Sequence, residues 1–256
     1  MGAPLLQADR VTLRYRSEGR VVSASEDVGF SIAPGDRLVL LGPSGCGKSS
    51  LLKAIGGYLR PDSGAIALKG RPVTAPGLDR MMVFQEFDQL LPWKTVRGNV
   101  LFALQSSGRL QGEAAQARAD AAIAKVRLSA FAGSYPHQLS GGMKQRVALA
   151  RGLAMEPDIL LMDEPFAALD AMTRAAMQDE VLRLWQETRF TVVFVTHSIQ
   201  EAIRVGSRIL LLSPHPGRLK EEVTSDGEDR VLDDGRRLSQ YIHDSLFAGT
   251  PMQEHA

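Results

Sequence analysis

The residues from Gly42 to Ser50 carry the clearest chemistry in the chain. They read GPSGCGKSS, fit the pattern G-x-x-x-x-G-K-[S/T], and lie between the apolar run Arg37–Leu41 and a helix-forming stretch. Such a loop exposes backbone N–H groups to phosphate oxygens, Lys48 supplies a positive charge to them, and the Ser49 hydroxyl can bind Mg²⁺. The segment predicts a phosphate-binding loop formed by Gly42, Pro43, Ser44, Gly45, Cys46, Gly47, Lys48, Ser49 and Ser50.

The single cysteine of the chain, Cys46, lies inside this loop. It allows no disulfide within the chain, which suits a reducing compartment. A small residue that fits a tight loop is the simple interpretation of Cys46, and a redox switch is the alternative. We interpret it as a packing residue.

Two carboxylates follow a second apolar run. The segment ILLMDEP ends its run with Asp163 and Glu164. In open α/β sheets, ligands bind at the carboxyl edge of the strands. There Asp163 would hold Mg²⁺, and Glu164 would orient and deprotonate an attacking water molecule. An exposed acidic turn is the alternative.

His197 and Gln85 also follow apolar runs, in FVTHS and MMVFQ. A lone histidine is usually structural or solvated, but one at this sheet edge can hydrogen-bond a terminal phosphate and report its presence. Gln85, at the same edge, can reach the metal or the water. The interpretation of both residues depends on the edge that Lys48 and Glu164 define.

The segment LSGGMKQR, residues 139–146, predicts a second anion-binding helix start. Ser140 would cap the helix, and Gly141 and Gly142 leave its first N–H groups open. A capped helix with a solvated basic face is the alternative. One domain would then contain two anion-binding helix starts.

The elements that must position these residues follow from the hydrophobic pattern. Short, nearly continuous apolar runs predict strands buried on both faces of a parallel sheet. These runs are Arg37–Leu41, Met81–Phe84, Ile159–Met162, Thr191–Val195 and Arg208–Leu212. Helical stretches alternate with them, which indicates an α/β core.

Two other regions depart from this alternation. Residues 4–35 alternate apolar and polar positions around tight turns, which predicts an antiparallel β subdomain. Tyr15 of this region would stack on an adenine ring or pack within the subdomain. Residues 95–138 contain no strand-like run and are rich in helix formers, which predicts an inserted helical subdomain. The segment SQYIHDSLF predicts a last helix before a short tail.

Composition limits the function classes. Hydrophobic residues are 44% of the 256 residues, charged residues are 23%, and the formal net charge is +1, so nothing favours a nucleic-acid partner. The longest apolar runs are far shorter than the ~20 residues that cross a bilayer. The amino-terminal residues lack the basic and apolar regions of an export signal, so we expect a cytosolic chain.

In this order and spacing, the motifs resemble the nucleotide-binding subunit of an ABC transporter. The resemblance covers residues 4–220, leaving 221–256 as a short helical extension and tail. It implies an α/β fold with a P-loop NTPase core, a mostly parallel sheet, an N-terminal antiparallel β subdomain and an inserted helical subdomain. It also implies ATP and Mg²⁺ as ligands and an ATPase activity in which Lys48, Gln85, Glu164 and His197 take part.

The family resemblance explains the second helix start. Two such domains sandwich ATP head to tail, and each phosphate loop is closed by the other subunit's LSGG segment. The residues that would reach the partner's nucleotide are Ser140, Gly141, Gly142 and Gln145, and those that resemble the loop crossing between the sites are Ala168, Leu169 and Asp170. One complete set of motifs favours a homodimer.

A finer resemblance concerns import. The segments DQLLPWKTVRGNV, DEPFAALDAMTR and LLLSPHPGRL are similar to subunits of bacterial nitrate, sulfonate and taurine type importers. The resemblance implies membrane permease subunits, an extracytoplasmic solute-binding protein, and a position at the cytoplasmic face of the bacterial inner membrane. Pro92 and Trp93 would contact a permease helix; a buried aromatic residue is the alternative for Trp93.

Other functions stay open. An ABC exporter ATPase would carry the same catalytic motifs. A soluble ABC protein of DNA repair or translation usually has long coiled coils or two cassettes, which this chain lacks. A P-loop kinase that phosphorylates a small acceptor is a further alternative, but the LSGGMKQR segment would have no function in such an enzyme. The solute itself touches the permease and the binding protein, so this sequence does not identify it.

Overall fold

The computed structural model describes residues 3–17, 20–84 and 89–247. In chain order, its strands are β1 (Leu6–Ser17), β2 (Arg20–Ile32), β3 (Arg37–Leu41), β4 (Ser63–Leu68), β5 (Arg71–Pro72), β6 (Arg80–Val83), β7 (Ile159–Asp163), β8 (Thr191–Thr196), β9 (Arg208–Leu212) and β10 (Leu219–Thr224). Its α-helices are α1 (Lys48–Ile55), α2 (Val96–Ser106), α3 (Gly112–Lys125), α4 (Gly141–Ala154), α5 (Ala171–Thr188), α6 (Ile199–Val205) and α7 (Leu238–Phe247).

The central sheet has six strands in the order β10-β9-β3-β8-β7-β6, and only the edge strand β10 runs antiparallel to its neighbour. Successive residues of each inner strand enter two different hydrophobic cores. Leu38 and Leu40 pack with α1 and the second sheet, whereas Val39 and Leu41 pack with the helices on the other face. Burial on both faces explains why these strands are continuous apolar runs. The predicted α/β core with a mostly parallel sheet is confirmed.

The second sheet is antiparallel, in the order β2-β1-β4-β5. The sequence pattern predicts this subdomain within residues 4–35 and gives no signal for β4 and β5, which follow α1. The segment SGAIAL of β4 is rich in small residues and lacks a strong alternation, so its pattern is weak. Pairing with β1 decides its conformation, because Leu6 lies opposite Leu68 in the ladder.

The helical insertion comprises α2, α3 and two short 3₁₀ turns before α4. Thr95 caps α2 by accepting a hydrogen bond from the Gly98 N–H at 3.1 Å. In α3, Ala115, Ala119 and Ala122 are buried at helical spacing, and small side chains allow close approach to the neighbouring helices.

The carboxyl-terminal part continues the core. The boundary expected at residue 220 falls within β10, which pairs with β9. Helix α7 buries Leu238, Ile242 and Leu246, one residue per helical turn. In the part of the chain that the structure describes, every helix is too short or too polar to cross a bilayer.

Candidate nucleotide-binding and catalytic site

The loop between β3 and α1 has a backbone that needs glycine. Gly47 has φ +91°, and a Cβ there would lie 2.4 Å from the Ala24 carbonyl oxygen. Gly45 has φ +79° but faces open space. Both angles fall in the left-handed region that side chains disfavour. The loop can therefore wrap closely around a ligand at the amino end of α1.

Lys48 is buried, with 5% of its surface exposed. Its Nζ donates hydrogen bonds to the Gly42 and Pro43 carbonyl oxygens, both at 2.8 Å. The ammonium therefore lies across the loop, at the start of a helix whose first N–H groups also favour negative charge.

Cys46 packs beneath this loop and has no exposed surface. Burial is the main cause that raises the pKa of its thiol, although nearby Lys48 opposes the shift. A raised pKa disfavours the reactive thiolate. A Cβ on Gly42 would lie 2.8 Å from the Cys46 sulfur, so the thiol fills a tight space. These contacts favour the packing role over a redox switch.

Asp163, the last residue of β7, is directly linked to the phosphate loop. Its Oδ1 accepts a hydrogen bond from the Ser49 hydroxyl at 2.8 Å. Partial burial raises the pKa of Asp163, and the charge of Glu164 adds to this effect while the Ser49 hydrogen bond opposes it. A hydroxyl beside a partly desolvated carboxylate is a set of hard oxygen donors that fits Mg²⁺.

Glu164 has an unusual backbone for a residue with a side chain, with φ +42°. Its N–H donates to the Val195 carbonyl oxygen of β8 at 3.0 Å, which holds this conformation. Its Oε1 lies 3.3 Å from His197 Nδ1. Residues held in rare conformations cost about 1–3 kcal/mol and cluster at functional sites. The turn places the Glu164 carboxylate in the cleft above the phosphate loop.

This cleft has a volume of about 340 Å³. Tyr15 lines it, is 40% exposed, and donates a hydrogen bond from its hydroxyl to Ser50 Oγ at 2.8 Å. The structure therefore brings Tyr15 to the phosphate loop, and the alternative of a ring packed inside the β subdomain does not hold.

His215 is a cleft residue that the sequence analysis missed. It lies in the turn after β9, and its Nδ1 is 3.3 Å from the Gly45 carbonyl oxygen. The available signal was the segment PHPG directly after a predicted core strand. Because β9 is the neighbour of β3, the turn after β9 lies beside the phosphate loop.

The helix start at LSGG lies elsewhere on the chain. Ser140 is the N-cap of α4, and its Oγ accepts a hydrogen bond from the Met143 N–H at 3.3 Å. Gly142 approaches α5 closely, since a Cβ there would lie 2.7 Å from Thr173 Cγ2. Neither Ser140, Gly141 nor Gly142 lines the cleft at the phosphate loop.

Gln145 does not lie with these residues on the surface. Its side chain has no exposed area, and its Nε2 is 3.4 Å from the Phe84 carbonyl oxygen. The expected contact of Gln145 with a partner's nucleotide is not compatible with this position. One helical turn separates Gln145 from Gly141, and in this register its side chain enters the core.

The segment expected to cross between paired sites is held firmly. Asp170 caps α5 through hydrogen bonds from the Met172 and Thr173 N–H groups at 3.1 and 3.0 Å. These hydrogen bonds, above all the one from Thr173, lower the pKa of Asp170. Leu169 is buried, while Ala168 is exposed at the tip.

Gln85 lies outside the described residues. Nearby, Pro92 is exposed and Trp93 is 70% exposed. The alternative of a buried Trp93 is therefore wrong. Tryptophan is enriched at protein–protein interfaces, so the exposed Trp93 fits a contact surface.

Comparisons with known proteins identify the family of the chain. A family model described as "ABC transporter" matches residues 25–167. The chain is 47% identical to the taurine import ATP-binding protein TauB of Rhizobium johnstonii over 232 residues, which is 90% of this chain and 88% of the relative. It is also 47% identical to TauB of Pseudomonas putida over 222 residues, which is 87% of this chain and 83% of the relative.

A solved structure is similar as well. It is the dimeric, post-hydrolysis state of the ATP-binding cassette MJ0796 bound to ADP and phosphate, with a TM-score of 0.73 and 32% identity over 87% of this chain and 100% of that chain. The phosphate loop, the carboxylates that end β7 and the capped helix start after the helical insertion belong to the segments that these comparisons cover. The chain belongs to the ABC transporter family, and it is an ATP-hydrolysing subunit of that family.

Proposed function

We propose that the chain powers the import of a small anionic solute, of the nitrate, sulfonate or taurine class, through separate membrane permease subunits. The relatives named as taurine import proteins support the import class and the kind of solute. The observation that carries the mechanism is the separation of the two helix starts. The phosphate loop lies in a cleft with Glu164, and the LSGG helix start lies outside that cleft.

In this proposal, different cleft residues bind the phosphates, the adenine ring and the metal ion. The loop N–H groups and Lys48 hold the phosphates, and Tyr15 stacks on the adenine ring. Ser49 and Asp163 hold Mg²⁺, together with Gln85 outside the described residues. The metal supplies positive charge to the phosphate oxygens.

Glu164 is the group that orients and deprotonates the attacking water. Its carboxylate is held over the loop by the strained backbone and lies beside His197. His197 hydrogen-bonds the terminal phosphate of ATP. The imidazole and the Glu164 carboxylate therefore act on the same phosphate group. Proton transfer to a positioned carboxylate typically contributes ~10²–10⁴-fold to the rate.

The second helix start acts on the nucleotide of a second copy. Ser140, Gly141 and Gly142 offer a hydroxyl and open N–H groups, which favour the terminal phosphate of ATP because ADP lacks that charge. The loop Ala168–Asp170 crosses between the two sites. ATP therefore holds the dimer together, and hydrolysis loosens it. Gln145 of the same helix is buried and takes no part in this contact.

The proposed partners are the second cassette, the permease subunits and, through them, an extracytoplasmic solute-binding protein. The exposed Pro92 and Trp93 form the surface that receives a permease helix. The chain is then a peripheral subunit at the cytoplasmic face of the bacterial inner membrane, formed by residues 4–220 as the cassette and a short extension.

Substitution Glu164→Gln tests the catalytic assignment. We expect ATP binding to persist and steady-state phosphate release to fall by roughly 100-fold or more, because the amide cannot accept the proton. We also expect a stable dimer with ATP in size-exclusion chromatography. Glu113→Gln, on the exposed surface of α3, is the matched control. Unchanged turnover in the Glu164 variant would remove this residue from its role.

Reconstitution tests the import assignment. The chain, the permease subunits that copurify with it from membranes and the solute-binding protein are placed in vesicles, and uptake of radiolabelled taurine, nitrate and a sulfonate is measured with ATP on the side of this chain. We expect ATP-dependent accumulation of at least one of them. ATP-driven movement in the opposite direction would favour an exporter, and copurification with ribosomes instead of permeases would favour a soluble ABC ATPase.

A further inference from the structure

The turn between β9 and β10 packs closely against the phosphate loop. A Cβ on Gly217 would lie only 2.0 Å from the Cys46 carbonyl oxygen. The Gly217 N–H donates to the Ala24 carbonyl oxygen at 3.0 Å, and the Gly217 carbonyl accepts from the Glu26 N–H at 2.9 Å. The turn is therefore fixed to both β2 and the loop, as a wall of the nucleotide cleft.

From this wall, His215 presents its imidazole to the cleft. The side chain lines the cleft together with Ser44, Gly45 and Lys48. Its Nδ1 is 3.3 Å from the Gly45 carbonyl oxygen. A carbonyl oxygen only accepts hydrogen bonds, so Nδ1 is the donor. The other ring nitrogen, Nε2, has no hydrogen-bond partner among the described residues.

The other titratable groups near His215 have hydrogen-bond partners of their own. Arg218, in the same turn, is paired with Glu26 of β2 at 2.7 Å. Across the cleft lie Lys48, which binds carbonyl oxygens of its own loop, and the Glu164 carboxylate. Tyr15 completes the titratable groups on the cleft walls, and its hydroxyl is bonded to Ser50.

We propose that His215 is a further nucleotide-binding residue, which donates one hydrogen bond from Nδ1 to the Gly45 carbonyl and one from Nε2 to a phosphate oxygen of the bound nucleotide. An imidazole that donates from both nitrogens is positively charged. A histidine changes charge near neutral pH, and a polyphosphate beside it favours the charged form. Nucleotide binding would then take up a proton from solvent at His215. This inference rests on nucleotide binding in the cleft.

Two substitutions separate the two ring nitrogens. The amide nitrogen of Asn occupies the place of Nδ1, so His215→Asn keeps the bond to Gly45 and loses the phosphate contact. The amide nitrogen of Gln occupies the place of Nε2, so His215→Gln keeps a neutral donor toward the phosphate and loses the charge. Both variants retain the fixed turn, because Gly217 and Ser213 make its backbone contacts.

The measurement is calorimetry of MgADP binding to the full chain between pH 6.5 and 8.5, in two buffers of different ionisation enthalpy. MgADP is not hydrolysed, so turnover does not interfere. We expect proton uptake and weaker binding with rising pH in the natural chain. In His215→Asn we expect about fivefold weaker binding at pH 6.5 and a flattened pH dependence, as for the loss of an exposed charge-assisted hydrogen bond. His215→Gln should lie between the two at pH 6.5 and should also take up fewer protons.

Adenosine and a distant histidine are the controls. Adenosine affinity should be the same in all variants, since adenosine has no phosphate. His243→Gln, in α7, should bind MgADP like the natural chain. The inference is overturned if His215→Asn binds MgADP with the affinity and proton uptake of the natural chain, or if adenosine and MgADP lose affinity equally. Failure of the natural chain to bind MgADP would instead contradict the proposed function.

Discussion

The starts of α1 and α4 use similar residue types and differ in how the rest of the chain surrounds them. Helix α1 begins at Lys48, directly after a glycine-rich loop, and α4 begins at Gly141, directly after Ser140, with two glycines as its first residues. At α1, a buried Lys48, the Ser49–Asp163 hydrogen bond and Tyr15 enclose a cleft. At α4, Ser140 caps its own helix, and the glycines do not line that cleft.

An anion-binding helix end can therefore form a complete ligand site or only half of one. The first has its own counter-charge, metal-binding oxygens and walls, so it can bind a nucleotide in a single chain. The start of α4 offers N–H groups but, among the described residues, has no counter-charge, metal-binding oxygens or cleft walls of its own. A second protein surface must therefore supply the rest of the binding site. Substitutions at the start of α1 should therefore change nucleotide affinity in the monomer, whereas substitutions at the start of α4 should change dimerisation and turnover.

Lys48→Ala should have the largest effect. Removing one partner of a buried charge contact costs about 2–5 kcal/mol, or roughly 30- to 5000-fold in affinity. We expect equilibrium dialysis to show this loss for both MgATP and MgADP, even in a dilute monomeric sample. Lys53→Ala, on the exposed side of the same helix, is the matched control and should bind as before. Equal affinity in the Lys48 variant would show that the loop N–H groups suffice alone.

Ser140→Ala should act only where two copies meet. We expect MgADP affinity in the monomer to stay the same, while ATP-driven dimerisation and turnover fall roughly tenfold, for the loss of a hydrogen bond to a charged group. Because this variant also loses a helix cap worth ~1 kcal/mol, Thr95→Ala, which removes the cap of α2, is the control for stability alone. Equal losses in the two variants would assign the effect of Ser140 to helix stability.

Asp163→Asn should have the smallest of the three effects, measured on the nucleotide-free protein. It should raise the thermal stability of that protein. Burial raises the pKa of Asp163 in the folded chain, so its ionised form costs stability above that pKa, and the cost disappears as the pH falls through it. We expect the nucleotide-free variant to have a higher Tm than the natural chain at pH 8, with the difference shrinking toward pH 4. Asp233→Asn, at an exposed position outside the cleft, is the control for the removal of one surface carboxylate. A lower Tm at pH 8 would mean that Asp163 stabilises the fold.

Much of the fold was predictable because local patterns and tertiary contacts agree. The five apolar runs are strands of one sheet, and the helix predicted near SQYIHDSLF is α7, Leu238–Phe247. Strand β4 was not predictable, since small residues give no period and the ladder with β1 decides its conformation. Strand β10 is also weakly patterned, because an edge strand needs only one buried face.

The chemistry of the site was predictable from the sequence, because glycines, Lys48 and the carboxylates after a core strand have few other uses in that order. Which side chains share a surface was not predictable, because it depends on the tertiary fold. It placed His215 on the wall of the cleft and Gln145 in the core, and it left Trp93 exposed. The physical reason is that a motif specifies local backbone and functional groups, whereas burial and proximity depend on which distant strands and helices pack together.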